Sequence, residues 1–228
     1  MIANLRCGLA LLLACACTLA SGDAVAAPPT LTVPVEVNEA QRFYAVDAVQ
    51  LDVLSEQIDR GRPLASNGRR SHGLLALDLG LHYQLQPQAG RCELQRPRVR
   101  LEMQLWLPDW QPEGEAPAAL REAWAAMLAG LIEHEAGHRD MAVAAARELA
   151  ARVAVLGARS DLDCPTLRRE LLGARLSQLS RLAVRSAAYD RRTAHGQRQG
   201  AVLALEAVGL DPCTLRDSAL YLRCRGRP

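Results

Sequence analysis

Two runs of strict alternation stand out in the first half of the chain. Leu75, Leu77, Leu79, Leu81, Tyr83 and Leu85 share one face, while Ala76, Asp78, Gly80, His82 and Gln84 occupy the other. Val99, Leu101, Met103, Leu105 and Leu107 repeat the pattern. A period of two marks half-buried strands, so the two runs predict a hairpin. Shorter apolar stretches at 31–37 and 42–46 predict further strands, and 50–59 a short helix before the turn-like Gly61-Arg62-Pro63.

The second half changes period. Leu120, Trp124, Met127, Leu128 and Leu131 recur at three- and four-residue spacing, and Met141, Ala142, Ala145, Leu149, Val153 and Leu156 continue the stripe. A helix over about 118–156 follows, stopped by Gly157. Asp163 is placed to cap a second long helix over about 165–188, with Leu167, Leu171, Leu172, Leu176, Leu179 and Leu182 as its apolar positions. A third helix is expected over 197–208, ended by Gly209. Strands first and helices second read as one α+β domain, an N-terminal antiparallel sheet followed by a zincin-like helical region.

His134-Glu135-Ala136-Gly137-His138 lies inside the first long helix. Histidines four apart share a helix face, so both imidazoles can hold one Zn2+ ion. The glutamate between them can take a proton from a water on that metal. At about 100° per residue, His138 falls near the centre of the apolar stripe, with Glu135 and His134 to either side. A carboxylate on a core-facing stripe costs several kcal/mol unless it is paired or binds metal.

The ends and cysteines bear on where such a protein works. Residues 1–26 read as a signal peptide: Arg6, an apolar stretch over 9–19, and Ala24-Val25-Ala26 before the cut. Leu12-Leu13-Ala14 before Cys15 is the alternative, lipoprotein pattern. The domain is then 27–228, periplasmic or secreted, with no stable membrane insertion after cleavage and a short cysteine-bearing tail at 210–228. Beyond the signal stand Cys92, Cys164, Cys213 and Cys224. An even count in an exported chain favours two disulfides. Three connectivities exist; the favoured one is Cys92–Cys164 as a long tether and Cys213–Cys224 as a local loop. The net charge is only +2, with arginines scattered among acids, so nothing marks a nucleic-acid surface.

A catalytic zinc normally takes three protein ligands and a water. No further histidine follows on the motif helix, so the third ligand must come from elsewhere. His72 in a polar loop and His82 on the polar face of a strand read as ordinary surface residues. His195 keeps different company, in Tyr189-Asp190-Arg191-Arg192-Thr193-Ala194-His195-Gly196 between two helices. It is the expected third ligand, although Asp190 and Thr193 would equally serve as caps for the next helix.

H-E-x-x-H followed by Y-D-x-x-T-x-H-G resembles a bacterial family of predicted secreted zinc-dependent proteases, carried as a domain of unknown function. The match rests on His134, Glu135, His138, Tyr189, Asp190, Thr193, His195 and Gly196, and spans about 43–209. Cys92, Cys164 and Leu107-Pro108-Asp109-Trp110 are also similar. Ala48 and Gln50 depart from the expected Gly and Thr. The family's protease label is itself an inference from the motif. It implies a metallopeptidase acting on peptide or protein substrates, with zinc on His134, His138 and His195 and Glu135 as general base. Tyr189 is expected to donate to the oxyanion or to pack at a helix end. Asp190 is expected to orient a ligand imidazole or to be the third ligand itself. Two alternatives share the sequence: a non-catalytic exported protein with a structural zinc, and a zinc amidase of cell-wall peptides.

Overall fold

The alternating leucines form the central hairpin of the computed structural model, which describes residues 31–64, 71–112, 114–159 and 161–203. The element order is β1 (Val35–Val46), α1 (Leu51–Gly61), β2 (Leu74–Gln88), β3 (Arg91–Trp110), α2 (Ala118–Gly157), α3 (Cys164–Thr193) and a 3-10 turn (Gln197–Gln199). The sheet order is β1-β3-β2. β2 and β3 pair antiparallel across a tight turn in which Gly90 takes φ 72°, a backbone conformation glycine adopts without strain.

The sheet is mixed rather than antiparallel, because β1 runs parallel to β3. The two expected stretches at 31–37 and 42–46 are one strand in the structure. The physical reason for the parallel pairing is the path of the chain. β1 ends opposite Trp110, and β2 begins opposite Trp106. The chain therefore passes from one edge of the sheet to the other at that end of β3, with α1 before the passage and residues 71–73 leading into β2 after it. That crossing end is where the motif helix presents its histidines.

Val99, Leu101, Met103, Leu105 and Leu107 are buried on the inner face of β3. Val99, Leu101 and Met103 meet Ala142, Ala145, Leu149 and Val153 of α2 and Leu167, Leu171 and Leu182 of α3 in a continuous core, while Leu105 and Leu107 pack with Leu131 and Ala201. Small alanines on α2 let the helix lie close to the sheet. A second cluster beneath the crossing joins Tyr44, Val46, Leu54 and Ile58 to Trp124, Met127 and Leu203. Cys92 and Cys164 form a disulfide with Cα atoms 4.8 Å apart, tying the start of β3 to the start of α3.

α3 begins as expected, with the Asp163 carboxylate accepting from Thr166 N–H at 2.8 Å. It continues to Thr193, five residues past the expected end. The Thr193 hydroxyl donates to Tyr189 O one turn back, and Ala194, His195 and Gly196 then take φ of 51°, 53° and 83°. Those left-handed residues end the helix. Leu172 and Leu176, expected on the apolar side, are exposed. The third expected helix is only the 3-10 turn, stopped by Gly200 at φ 90° and followed by non-helical residues to 203. The rest of that expectation, with the signal segment, Cys213, Cys224 and the 210–228 tail, lies outside the described residues. Among those described, no helix is long and apolar enough to cross a membrane.

Candidate metal centre

The apolar stripe of α2 is interrupted once, by His134 and Glu135, both buried between the helix and the sheet end. His138 follows one turn on. α3 packs against this turn and brings Asp190 to it. Asp190 Oδ1 stands 2.9 Å from His138 Nε2 and 3.3 Å from His134 Nε2, and the two Nε2 atoms are 3.3 Å apart. The ligand atoms of His134, His138 and Asp190 all lie within 4.8 Å of one another. His195 lies beside them, its Nδ1 4.0 Å from Asp190 Oδ1 and its side chain 46% exposed. Asp190, with two chemical options in the sequence, is thus the carboxylate at the centre of the cluster, and His195 is its neighbour on the rim.

The remaining groups orient these donors. His134 Nδ1 faces Gln199 Oε1 at 3.1 Å, and the Gln199 amide donates to Tyr189 Oη at 3.1 Å and to Glu133 Oε1 at 3.3 Å. A proton on Nδ1 leaves Nε2 with its lone pair directed at Asp190, the tautomer a metal ligand needs. The Tyr189 ring stacks on His134 with centroids 5.1 Å apart and planes 8° from parallel, and meets His138 edge-on. Its hydroxyl points to Gln199, behind the imidazoles, and it is not among the residues lining the cleft. The oxyanion-donor role expected for Tyr189 has no support in this placement. Thr193, expected as a cap, bonds back to Tyr189 O and lies 3.4 Å from His134 Nδ1. Gln199 is the participant that sequence reasoning missed; one glutamine in a Gly-flanked turn carries no signal of its own.

Electrostatics follow the geometry. Burial pushes the Glu135 carboxyl above the usual carboxylate range, while His138, His134 and a hydrogen bond from the Leu75 backbone pull the other way. Burial also raises Asp190, but its hydrogen bonds to His134 and His138 prevail and hold it well below that range. Burial lowers His134, yet its bond to Asp190 and the charge of Glu135 leave it raised. The cluster sets an ionised Asp190 carboxylate against the imidazole of His134.

That donor set fits a zinc ion. Tetrahedral ligands at zinc–nitrogen and zinc–oxygen distances stand about 3.3 Å from one another, and two of the three separations here are 3.3 Å, the third 2.9 Å. Two imidazoles and a carboxylate are a donor set that zinc accepts, with the carboxylate oxygen also suited to harder divalent ions.

A cleft of about 510 Å3 opens beside the cluster. Leu74, Leu75 and Leu77 of β2 form one wall, and Ser186, Ala187 and Arg191 of α3 the other, with Glu135, His138 and His195 between. Gly73 lets the crossing segment press against α2: a Cβ there would lie 2.8 Å from Leu131 Cδ1 and 3.0 Å from Glu135 Oε1. The Tyr44 hydroxyl anchors the same segment by donating to His72 O at 2.8 Å.

The sequence pattern of a family described as "Bacterial protein of unknown function (DUF922)" matches residues 41–196. The chain belongs to this family. The matched region takes in the second half of β1, the β2–β3 hairpin, both long helices, the motif, Asp190 and His195, so the whole cluster is part of the family's own domain. No curated protein and no solved structure matches the chain.

Proposed function

We propose that this member of the family is an exported, zinc-dependent metallopeptidase. The observation that carries the reading is the convergence of His134, His138 and Asp190 on one point at the floor of a cleft, with the buried Glu135 carboxylate on the same helix turn. His134, His138 and Asp190 would hold the metal. A zinc ion there supplies Lewis acidity, lowering the pKa of a water towards about 7 and polarising a carbonyl.

Glu135 accepts the proton of the attacking water and hands it to the leaving amine. Its place on the same helix turn as His134 and His138, at the lining of the cleft, is where a group must both take and return a proton. Gln199 keeps His134 in the required tautomer, and Tyr189 fixes the planes of both imidazoles by ring contact. The Leu75 backbone sets the carboxylate of Glu135 against the wall where a substrate would lie. Burial of His134 and Glu135 among leucines excludes bulk water and strengthens each of these interactions.

A second reading draws on His195. Were its imidazole to join the other three donors, the site would have four protein ligands and no place for water, and the zinc would be structural. Glu135 speaks against that, because a closed site has no use for a carboxylate held beside it.

The test compares wild type with Glu135→Gln, measuring zinc per chain and hydrolysis of a general peptide mixture. Zinc retained in both, with hydrolysis lost by at least a hundredfold in the variant, is expected. Zinc in both proteins without hydrolysis in either would replace the proposal with the structural reading.

A further inference from the structure

The register of the sheet decides which backbone groups border the cleft. Val99 N–H donates to Pro34 O on the β1 side of β3. The odd-numbered residues of β3 therefore turn their backbone groups towards β1. Their partners on β2 are Leu75 opposite Leu105, Leu77 opposite Met103 and Leu79 opposite Leu101. These leucines turn their N–H and C=O groups away from β3, to the outer edge. Two contacts agree: the Leu75 backbone reaches Glu135, and Leu79 O accepts from Arg175 Nε at 2.7 Å.

The outer edge of β2 is thus marked at two points about four residues apart. One is the general base. The other is a guanidinium from α3, itself 3.5 Å from Asp78 Oδ1. Leu74, Leu75 and Leu77 line the cleft and Leu79 does not. Leu79 O is taken by Arg175 of α3 and Leu79 is not among the residues lining the cleft, so the cleft ends short of that hydrogen bond. At about 3.3 Å per residue, Leu75 to Leu79 spans roughly 13 Å, room for three or four extended residues.

We infer that the cleft takes a short peptide, or the terminus of a longer one, laid along Leu75–Leu77, and that Arg175 is the stop that sets its length. The inference rests on the peptidase reading and names its substrate class. Main-chain bonds to the Leu77 edge give such a strand its hold without demanding a particular side chain. The facing wall supports this, since Ser186 and Ala187 are small enough to leave the lane clear. Arg175 lies outside the metal cluster and lines no part of the catalytic floor, so its effect is on length alone.

The test uses the full chain loaded with zinc and two sets of internally quenched peptides. Each set grows one residue at a time, on the amino side or on the carboxyl side of the scissile bond. Binding of the same peptides to Glu135→Gln is read by fluorescence anisotropy. In wild type, one set is expected to lose at least tenfold in both kcat/KM and affinity once the extension passes four residues. Arg175→Ala and Arg175→Met, the second keeping the apolar stem, are expected to abolish that loss and leave the shortest peptides unchanged. Wild type indifferent to length up to eight residues in both sets, while still hydrolysing them, would overturn the inference and spare the peptidase. A length limit that persists in a folded Arg175 variant would remove Arg175 as its cause. Peptides neither bound nor cleaved at any length would remove the peptidase reading and this inference with it.

Discussion

Gly137 lies directly beneath the hydroxyl of Tyr189, so close that a methyl group on its Cα would overlap the phenol. The glycine between the two histidines is therefore the space that lets α3 approach α2. In an exposed helix interior, Gly→Ala gains about 1 kcal/mol. Here Gly137→Ala is expected to cost about 1–3 kcal/mol by overpacking and to weaken zinc binding as Tyr189 leaves His134. Chemical denaturation with and without zinc checks both effects; a stabilised variant with intact metal affinity would contradict the packing argument.

Asp190 and His195 are the two candidates for a third place on a bound metal, and Asp190 is the one whose ligand atom falls in one group with those of His134 and His138. Asp190→Asn should lower zinc affinity at least tenfold, because the charge that draws both imidazoles inward is gone. His195→Ala should lower it less, in contrast to what the sequence motif leads one to expect. Competition titrations against a chromophoric chelator give both constants. The reverse order would return His195 to the metal and make Asp190 its hydrogen-bond partner.

Gln199 would act on a bound metal through His134, directly and by way of the Tyr189 ring. Gln199→Ala is expected to reduce zinc affinity 10–100-fold, the usual cost of losing a partner behind a ligand, with little change in the thermal midpoint of the metal-free protein. Gly130 supports the same contact, since a Cβ there would strike the Gln199 carbonyl. If the affinity is unaltered by Gln199→Ala, the tautomer is set elsewhere.

How much of this was legible beforehand depends on range. The period-2 leucines announce β2 and β3, and the three- and four-residue spacing announces α2 and α3, because each pattern records which side of one element is buried. The His134, Glu135 and His138 constellation is equally local. The parallel pairing of β1 is not, since it depends on where α1 delivers the chain. The same holds for Asp190: its place at the cluster requires α3 to continue to Thr193, and only the left-handed run at 194–196 tells where the helix stops. Gln199 reaches His134 through a turn that the periodicity renders as helix.

His72 sits half-buried in the crossing segment, and burial, with some help from Arg62, lowers its pKa from 6.5 to about 4. A histidine depressed in the folded state favours folding while neutral. Stability is therefore full above about pH 6.5 and declines as pH falls towards 4, by at most about 3 kcal/mol. Urea midpoints at pH 7, 5.5 and 4 for wild type and His72→Asn isolate this contribution from the carboxylates. Wild type should lose more than the variant; parallel profiles would show that His72 does not titrate with folding.

The Cys92–Cys164 bond closes a loop of 72 residues in separation. Cys92→Ser with Cys164→Ser should cost about 4 kcal/mol on the chain-entropy estimate. The loss should appear in guanidine unfolding of the oxidised proteins and vanish when wild type is measured under reductant. Equal stability of wild type with and without reductant would mean that the bond does not form in solution.

α3 carries the disulfide at its first residue and the Asp190 carboxylate near its last, roughly 39 Å apart at 1.5 Å per residue. In mechanical terms it is a beam pinned at both ends, one pin covalent and permanent, the other ionic and exchangeable. Helix rotation of a single residue step would swing Asp190 through about 100° and out of reach of both histidines. The sulfur bridge at the far end resists that twist, so it does more than stabilise the chain: it fixes the angular setting of a carboxylate that the bridge never touches.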